Sequence, residues 1–295
     1  MKQVLEKFYK FIGKEKRSET AQEDAGTIAV KKERNMTFTI GCVITGVILV
    51  LTLIGFFYTP YDPEKMDASH KLAGISWQHL MGCDNFGRDI FSRVLKGCGT
   101  TLIVASGTVF IGTVFGVLIG AFTGYFGGLL DEVLMRIMDA LFAFPSLLLA
   151  LVFVSLFGKG KYHVIIALGI AFIPSFSRIV RSEYMRCRNL DYVKSARLAG
   201  ASHFRIMFVH ILPNIRTVLL SSIMIGFNNA VLAEAGLTYL GIGVQPPDAS
   251  LGEMLSSAQT YLFSAPWYAF GAGLMIILMI LGFSLMAEGL KKRTA

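Results

Sequence analysis

Charged residues are scarce in this 295-residue chain, making up 16% of it, whereas hydrophobic residues make up 54%. Soluble domains average about 25% charged residues. The shortage is uneven, because the apolar residues form long runs with almost no charge, and about 20 such residues in a helix span the hydrocarbon core of a bilayer. The composition therefore excludes an ordinary soluble domain and predicts an integral membrane protein.

The signatures of common enzymes are also missing. The sequence has no G-x-x-x-x-G-K-[ST] phosphate loop, no H-E-x-x-H and no G-x-S-x-G. Its five histidines are scattered, and its four cysteines show neither a C-x-x-C pair nor zinc spacing. Cys83 and Cys98 are expected to stay unpaired. We therefore expect no catalytic residues, no metal site and no cofactor bound by the chain itself.

Six apolar stretches predict an all-α, polytopic bundle with six transmembrane helices. They are Met36–Tyr58, Thr101–Phe126, Ala140–Gly158, Tyr162–Val180, Thr217–Tyr239 and Pro266–Gly289. Transmembrane β-strands would instead give alternating segments of about 10 residues, and none is seen. Pro174 is expected to bend the fourth span, and Gly112, Gly116 and Gly120 to form a helix-packing ridge on the second.

The polar segments divide the chain further. We expect a cytoplasmic tail over residues 1–35, a first helix over 36–58, an extracellular elbow over 59–100, a five-helix core over 101–289 and a tail over 290–295. The core contains a cytoplasmic segment at 189–214 and an extracellular loop at 240–265. With the N-terminus inside, 21 of the 28 Lys and Arg residues fall on the cytoplasmic side, as the positive-inside rule requires. The membrane accounts for the net charge of +8, so no nucleic-acid partner is expected.

The cytoplasmic segment NLDYVKSARLAGASHFRIMFVHILPN interrupts this apolar pattern. Asn189 or Asp191 is expected to cap a first helix, Gly200 to end it and Ser202 to cap a second. The second helix would carry an apolar stripe of Phe204, Met207, Phe208 and Ile211. A helix lying on anionic lipid explains the basic and aromatic residues, but the small residues at the bend favour close approach by another protein.

Several motifs resemble a known family. The cytoplasmic segment is similar to the E-A-A-x3-G-x9-I-x-L-P coupling loop of ATP-binding-cassette importer permeases, although Lys194 and Ser195 replace Glu-Ala and His210 stands at the Ile position. WQHLMGCDNFGRDIFSRVLKGCGTTL, GYFGGLLDEVLMRIMDALFAFPSLLLAL and EAGLTYLGIGVQPPDASLGEML resemble blocks of the dipeptide, oligopeptide and nickel permease group, with Cys83, Ala249 and Leu251 as departures. The motifs lie between Trp77 and Leu255, and the resemblance as a whole covers residues from about 36 to 289.

The resemblance implies a type I importer permease in a prokaryotic cell membrane. Such a chain forms half of a translocation pathway, works by alternating access and pairs with a homologous second permease. Two ATPase subunits, which hold the ATP and Mg, and an extracellular substrate-binding protein would complete the transporter. The residues implied for the ATPase-coupling loop are Asp191, Ala196, Ala199, Gly200, Ala201, Ser202, Phe204, Leu212 and Pro213.

Other polar residues are candidates for the pathway and the outer surface. Asn228, Asn229 and Glu234 lie in the fifth span and either line the pathway or form interhelical hydrogen bonds. Six further residues are candidates for the outer surface. They either contact the binding protein or help to form an outer gate, or they are structural and build an elbow and a rigid turn. They are Asp84, Arg88, Asp89, Gln245, Pro246 and Pro247. Arg136 and Asp139 are expected to pair with each other.

Three functions remain open at this stage. Import of di- or oligopeptides is favoured over import of nickel or a metal chelate, because the spans contain no clustered histidines. A secondary transporter or channel would show charges at the membrane midplane and inverted repeats, which are not evident, and would leave the cytoplasmic segment unexplained.

Overall fold

Apolar helices dominate the computed structural model, which describes residues 36–291. The helices are α1 (Met36–Phe57), α2 (Ile90–Phe126), α3 (Gly128–Phe142), α4 (Ser146–Phe157), α5 (Lys161–Cys187), α6 (Asp191–Leu198), α7 (His203–Arg205), α8 (Arg216–Tyr239), α9 (Leu251–Ala258) and α10 (Pro266–Lys291). Five of them, α1, α2, α5, α8 and α10, are long and apolar enough to cross a membrane. The all-α membrane prediction is confirmed, while the predicted tail at 1–35 and most of the C-terminal tail lie outside the described residues.

The third predicted span is a bent pair of helices. Helices α3 and α4 meet at 91°, and counting the pair as one crossing gives six spans. The break falls at residues 143–145, where Pro145 precedes α4. Proline lacks an amide hydrogen and disfavours helical backbone at the residue before it. The predicted third span, Ala140–Gly158, is therefore corrected: it is interrupted at residues 143–145, and the bent pair begins earlier, at Gly128.

Helix α2 begins at Ile90, well before the predicted start of the second span at Thr101. Asp89 caps it, because its Oδ2 accepts a hydrogen bond from the Ser92 amide at 2.8 Å. At 1.5 Å per residue, its 37 residues reach about 55 Å, which exceeds the hydrocarbon core of about 30 Å. The helix therefore extends beyond the bilayer, and the irregular part of the elbow ends at Asp89.

Contacts along α2 define two ends of the bundle. The elbow of residues 58–89 surrounds the start of α2, whereas the Tyr125 hydroxyl near its end lies 2.9 Å from Nδ1 of His203 in α7. Helix α10 runs antiparallel to α1, with Gly289 against Phe38 and Gly282 against Thr45. Gly55, near the end of α1, packs against Leu95 near the start of α2, so Met36 and Lys291 both lie at the end that carries α6 and α7.

Helices α2 and α5 pack most closely. A Cβ added at Gly116 would lie 2.4 Å from Phe176 Cβ, and one at Gly120 would lie 2.5 Å from the Ser177 carbonyl oxygen. Gly112 also faces Phe172 and Phe176. The predicted glycine ridge is therefore a packing surface within this chain, because only glycine lets the two backbones approach this far.

Charged side chains join α3 to α5 at the α6–α7 end of the bundle. Asp139 Oδ1 accepts a hydrogen bond from Arg178 Nη2 at 2.6 Å, and Asp131 Oδ2 accepts one from Arg181 Nη2 at 2.6 Å. The predicted pair of Arg136 with Asp139 is wrong, because Asp139 reaches across to the neighbouring helix.

The predicted outer loop at 240–265 contains a helix that packs back into the bundle. Ser250 caps α9 by accepting a hydrogen bond from the Glu253 amide, and Leu251, Met254 and Ala258 are completely buried. A Cβ on Gly252 would lie 2.8 Å from the Ala235 Cα of α8. This eight-residue helix is too short to show a membrane-spanning pattern in the sequence.

Candidate functional site

The α6–α7 segment turns at Gly200 as predicted. Gly200 has φ +79°, and its amide donates to the Arg197 carbonyl at 3.1 Å. The Ala201 amide donates to the Ala196 carbonyl, also at 3.1 Å. These two hydrogen bonds form a Schellman motif, in which a residue with positive φ ends the helix and satisfies its last carbonyls. Helix α6 therefore has a defined end.

The two predicted caps behave differently. Ser202 caps α7, because its Oγ accepts a hydrogen bond from the Arg205 amide at 3.4 Å. The expected cap by Asn189 or Asp191 is wrong, since Leu190 precedes α6 and makes no side-chain cap. Asp191 instead accepts a hydrogen bond from Lys194 Nζ at 3.0 Å.

The second helix also differs from its prediction. After Arg205 the chain continues as a π-helix over Ile206–Ile211, and the Leu212 amide donates to the Met207 carbonyl five residues earlier. The wider turn changes which side chains face inward. Ile206, Met207 and Ile211 are buried, whereas Phe204 is 62% exposed.

The segment is fixed to the long helices. Val193 of α6 is completely buried beside Tyr184 and Cys187 at the end of α5. The Tyr184 hydroxyl donates to the Met207 carbonyl at 3.0 Å. Together with the contact between Tyr125 and His203, this packing makes α6, α7 and the ends of α2 and α5 one connected unit.

The outer surface of this unit is apolar at its tip. Leu198 is 90% exposed, and no atom lies within 4 Å of a Cβ added to Gly200. Asp191, Ala199, Ser202, Phe204 and Pro213 are also exposed, whereas Ala196, Ala201 and Leu212 are half-buried. We call Leu198, Ala199, Gly200, Ser202 and Phe204 the α6–α7 tip. Its exposed leucine and phenylalanine flank a glycine with open space around it.

A cavity of about 430 Å³ opens between α4, α5 and α8. Its polar lining comes from Ser146 at the start of α4, Ser175 in α5, and Ser222 and Asn229 in α8. The remaining lining is apolar and includes Phe172, Phe176, Ile225 and Leu232. Among the described residues that line it, none is ionisable. Ser175 and Asn229 are both exposed and lie near the middle of their helices.

The three pathway candidates do not lie together. Asn229 lines the cavity, whereas Asn228 is buried, with 8% exposure. Glu234 is fully buried and accepts hydrogen bonds from the hydroxyls of Thr101 and Thr238, each at 3.0 Å. These hydroxyls in turn accept from the backbone amides of Leu251 and Val244. Glu234 therefore connects α8 to α2, to the start of α9 and to the loop before it.

The elbow candidates Asp84, Arg88 and Asp89 are buried as well. Arg88 Nε donates to Asp84 Oδ2 at 2.6 Å, and these residues are 6% and 0% exposed. Asp89 caps α2 and lies 2.9 Å from His79 Nδ1. This burial favours the structural elbow over direct contact with another protein.

A further buried ion pair was not predicted from the sequence. Arg93 is 1% exposed and donates from Nη2 to Glu253 Oε2 at 2.7 Å, which joins the first turn of α2 to α9. Arg93 Nε also lies 3.7 Å from Asp84 Oδ2. Arg93 and Glu253 are 160 residues apart in the sequence, so no local pattern predicts their contact. Only a search for oppositely charged residues in distant apolar segments would have suggested it.

The remaining outer candidates follow α8. Gln245 donates from Nε2 to the carbonyls of Gly241, Gly243 and Val244 at 3.2–3.3 Å, so its side chain folds back on its own loop. Pro246 and Pro247 are exposed and joined by a cis peptide bond. No cluster of metal-ligating side chains is present within residues 36–291.

These features define a class, a multi-pass helical membrane protein with a packed α6–α7 segment at one end and a partly polar cavity near the middle of its spanning helices. Residues 116–295 match the family described as binding-protein-dependent transport system inner membrane component, and the chain belongs to that family. It is therefore a transport permease subunit.

Named relatives cover most of the chain. The dipeptide transport system permease protein DppC of Haemophilus influenzae is 34% identical over 88% of this chain and 90% of its own length. The di/tripeptide permease DppC of Pseudomonas aeruginosa is 36% identical over 85% of each chain. The glutathione permease GsiD of Pectobacterium atrosepticum is 37% identical, covering 83% of this chain and 82% of its own.

A solved structure supports the fold. A chain of the MetNI methionine ABC transporter in an inward-facing conformation matches with a TM-score of 0.56, covering 68% of this chain and 95% of its own. At 19% identity this likeness establishes the fold alone.

Proposed function

We propose that this chain is a permease subunit of an ATP-driven importer of di- or oligopeptides. The support comes from relatives whose names specify dipeptide, di/tripeptide and glutathione transport. In this proposal the α6–α7 end faces the cytoplasm, as the distribution of Lys and Arg favours, and the membrane is the inner membrane of a prokaryote. The chain itself would be non-catalytic.

The observation that carries the proposal is the placement of Ser175 and Asn229. Both are exposed near the centres of membrane-spanning helices and line one cavity. A polar amide at that depth is costly against lipid, so its surface is expected to face water or another protein. This surface would form half of the passage, and a homologous second permease would supply the other half.

The composition of the cavity favours peptides over nickel. Its described lining offers hydroxyls and an amide, which hydrogen-bond to peptide groups. It offers no imidazole, thiol or carboxylate among those residues, and these are the groups that bind transition metals most readily. Nickel or a metal chelate therefore remains the second candidate cargo.

The α6–α7 tip would receive mechanical work from two separate ATPase subunits that hold the ATP and Mg. Its exposed Leu198 and Phe204 suit an apolar cleft, and the open space around Gly200 allows a partner backbone to approach closely. Because the tip is packed onto the ends of α2 and α5, a displacement of the tip would move both helices. An extracellular binding protein would deliver the cargo at the opposite end, where the exposed Pro246 and Pro247 are the remaining candidates for contact.

The test is ATP hydrolysis by the reconstituted transporter in liposomes, with the binding protein empty, loaded with short peptides or loaded with nickel chelate. We expect stimulation by peptide, and its loss in the Gly200→Trp variant, since the indole would fill the space that the ATPase requires. Gly46→Trp, at a glycine of α1 with equally open space, is the matched control and should keep stimulation. Stimulation by nickel chelate alone would assign nickel chelate, and not peptide, as the cargo. Hydrolysis unaffected by Gly200→Trp would refute the coupling role of the α6–α7 tip.

A further inference from the structure

Trp77 is one of two tryptophans in the chain and is almost fully exposed, at 97%. It lies in the elbow, two residues before His79, and lines a cavity that Asp89 also lines. Ile75 and Leu80 beside it are also exposed, at 68% and 55%. A solvent-facing tryptophan with apolar neighbours needs a partner, and its depth relative to the membrane indicates which one.

Helix α1 sets the position of the membrane. Its 22 residues span about 33 Å, close to the hydrocarbon thickness of about 30 Å. Many of its side chains are exposed, including Val43, Val47, Val50 and Leu53 at 54–60%, as expected of a helix that contacts lipid. The end of α1 at Phe57 therefore marks the outer edge of the hydrocarbon core.

The depth of Trp77 follows from its neighbours. Gly55, near the end of α1, packs against Leu95 of α2. Phe91 is one helical turn nearer to the elbow than Leu95, about 6 Å along α2, and so lies about 3 Å beyond the end of α1. Trp77 lines the same cavity as Phe91 and Tyr61. Trp77 therefore lies at the depth of the lipid headgroups, where the interfacial layer on each side is roughly 5–8 Å thick.

The surrounding residues match that layer. Tyr58, directly after α1, is 66% exposed, and Tyr61 is 42% exposed. Lys96 is exposed, and its Nζ lies 5.6 Å from the centre of the Phe56 ring near the end of α1. A lysine at this depth can extend its amino group toward the headgroups. Tryptophan and tyrosine concentrate at this boundary because their rings are apolar and carry one polar group.

We propose that Trp77, with Tyr58, Tyr61 and Lys96, anchors the elbow in the headgroup layer of the outer leaflet. The anchor would hold the elbow, and with it the capped start of α2, at a fixed depth in the membrane. A binding protein is the competing occupant, but it would approach from water, and the continuity of this surface with lipid-facing α1 favours lipid.

The experiment uses the fluorescence of the full chain in liposomes. In the Trp267→Phe variant, Trp77 is the sole tryptophan of the chain. We expect phosphatidylcholine brominated near the carbonyl end of its acyl chains to reduce the emission of Trp77 more than lipid brominated in mid-chain. A reference variant with Val47→Trp, Trp77→Phe and Trp267→Phe places an exposed tryptophan in the middle of α1 and should show the reverse order.

Two outcomes would overturn the proposal. One is emission that is insensitive to both brominated lipids while aqueous iodide quenches it as fully as a free tryptophan analogue. This result would assign the surface to water and to a protein partner. The other is stronger quenching from mid-chain than from shallow bromines, which would bury the ring in the hydrocarbon. If Trp267→Phe does not fold, the emission of Trp77 is obtained by subtracting the emission of the Trp77→Phe variant from that of the unaltered chain.

Discussion

Gly200 is the residue at which local chemistry and the proposed coupling role coincide. Its φ of +79° lies in the region that L-residues with a branched Cβ rarely adopt. A side chain at position 200 would meet no steric obstacle, because no atom lies within 4 Å of a Cβ added there. A small substitution there therefore acts through the backbone alone.

We predict that Gly200→Val loosens the end of α6, whereas Gly200→Asn does so less, because asparagine tolerates positive φ. The cost for valine is expected to be about 1–2 kcal/mol, the penalty of a left-handed residue. Hydrogen exchange at the amides of Gly200 and Ala201 would measure it. Gly46→Ala in α1, which also has open space but no positive φ, is the control. Equal exchange in the valine and asparagine variants would contradict the backbone argument.

Burial decides how much an ion pair contributes, as Arg93–Glu253 and Asp191–Lys194 illustrate. Glu253→Ala leaves the buried Arg93 without that partner and should cost about 3–5 kcal/mol. Lys194→Ala removes a pair whose side chains are 63% and 96% exposed and should cost about 0–1 kcal/mol. Thermal unfolding of the two variants in detergent tests the contrast. Similar losses of stability would show that Glu253 is not held as the structure has it.

Residue-level predictions from the sequence were accurate where the cause was local. Gly200 and Ser202 act as expected, since helix ends are set by neighbouring backbone. The prediction for Asp191 was wrong by one position, because Leu190 takes the extended cap conformation. The burial of Asp84 and Arg88 depends on contacts with distant parts of the chain, which their spacing does not encode.

At the scale of elements, hydropathy predicted the existence of the spans and missed their ends. A hydropathy scale measures transfer from water to lipid, so the charged residues Arg93 and Lys96 lowered the score of the first turns of α2. The helix nevertheless begins there, where Asp89 caps it. Hydropathy also missed α9, which is buried by protein. The break before α4 has a local cause in Pro145, and that signal was present in the sequence.

The α2–α5 contact yields an element-scale prediction. Gly116→Leu should separate these helices, because even a Cβ meets Phe176 at 2.4 Å. We expect a loss of about 1–3 kcal/mol, typical of overpacking, and a reduced yield of monodisperse protein on size-exclusion chromatography. The paired control Gly46→Leu lies in open space on α1 and should behave as the unaltered chain does. Equal yields would mean that the ridge is not a close contact.

At the scale of the whole molecule, the cavity depends on how the helices are rotated about their axes. Asn228 and Asn229 are adjacent in sequence, yet one is buried and the other lines the cavity, since successive helical residues point about 100° apart. Only the packing of α8 against its neighbours decides which asparagine faces the cavity. The sequence alone therefore identified both as candidates and could not choose between them.

This difference gives a test of alternating access. In the assembled transporter with Cys42→Ala, we predict that Asn229→Cys reacts with a membrane-impermeant maleimide and that Asn228→Cys does not. The reactive side of the membrane should change with the nucleotide bound to the ATPase subunits. Background labelling of this chain should be low, because Cys83, Cys98 and Cys187 are buried, and burial raises the pKa of Cys83 to about 11, so little thiolate is present at neutral pH. Equal labelling at 228 and 229 would place the passage elsewhere, and labelling of 229 from one side in every nucleotide state would argue against alternating access at this surface.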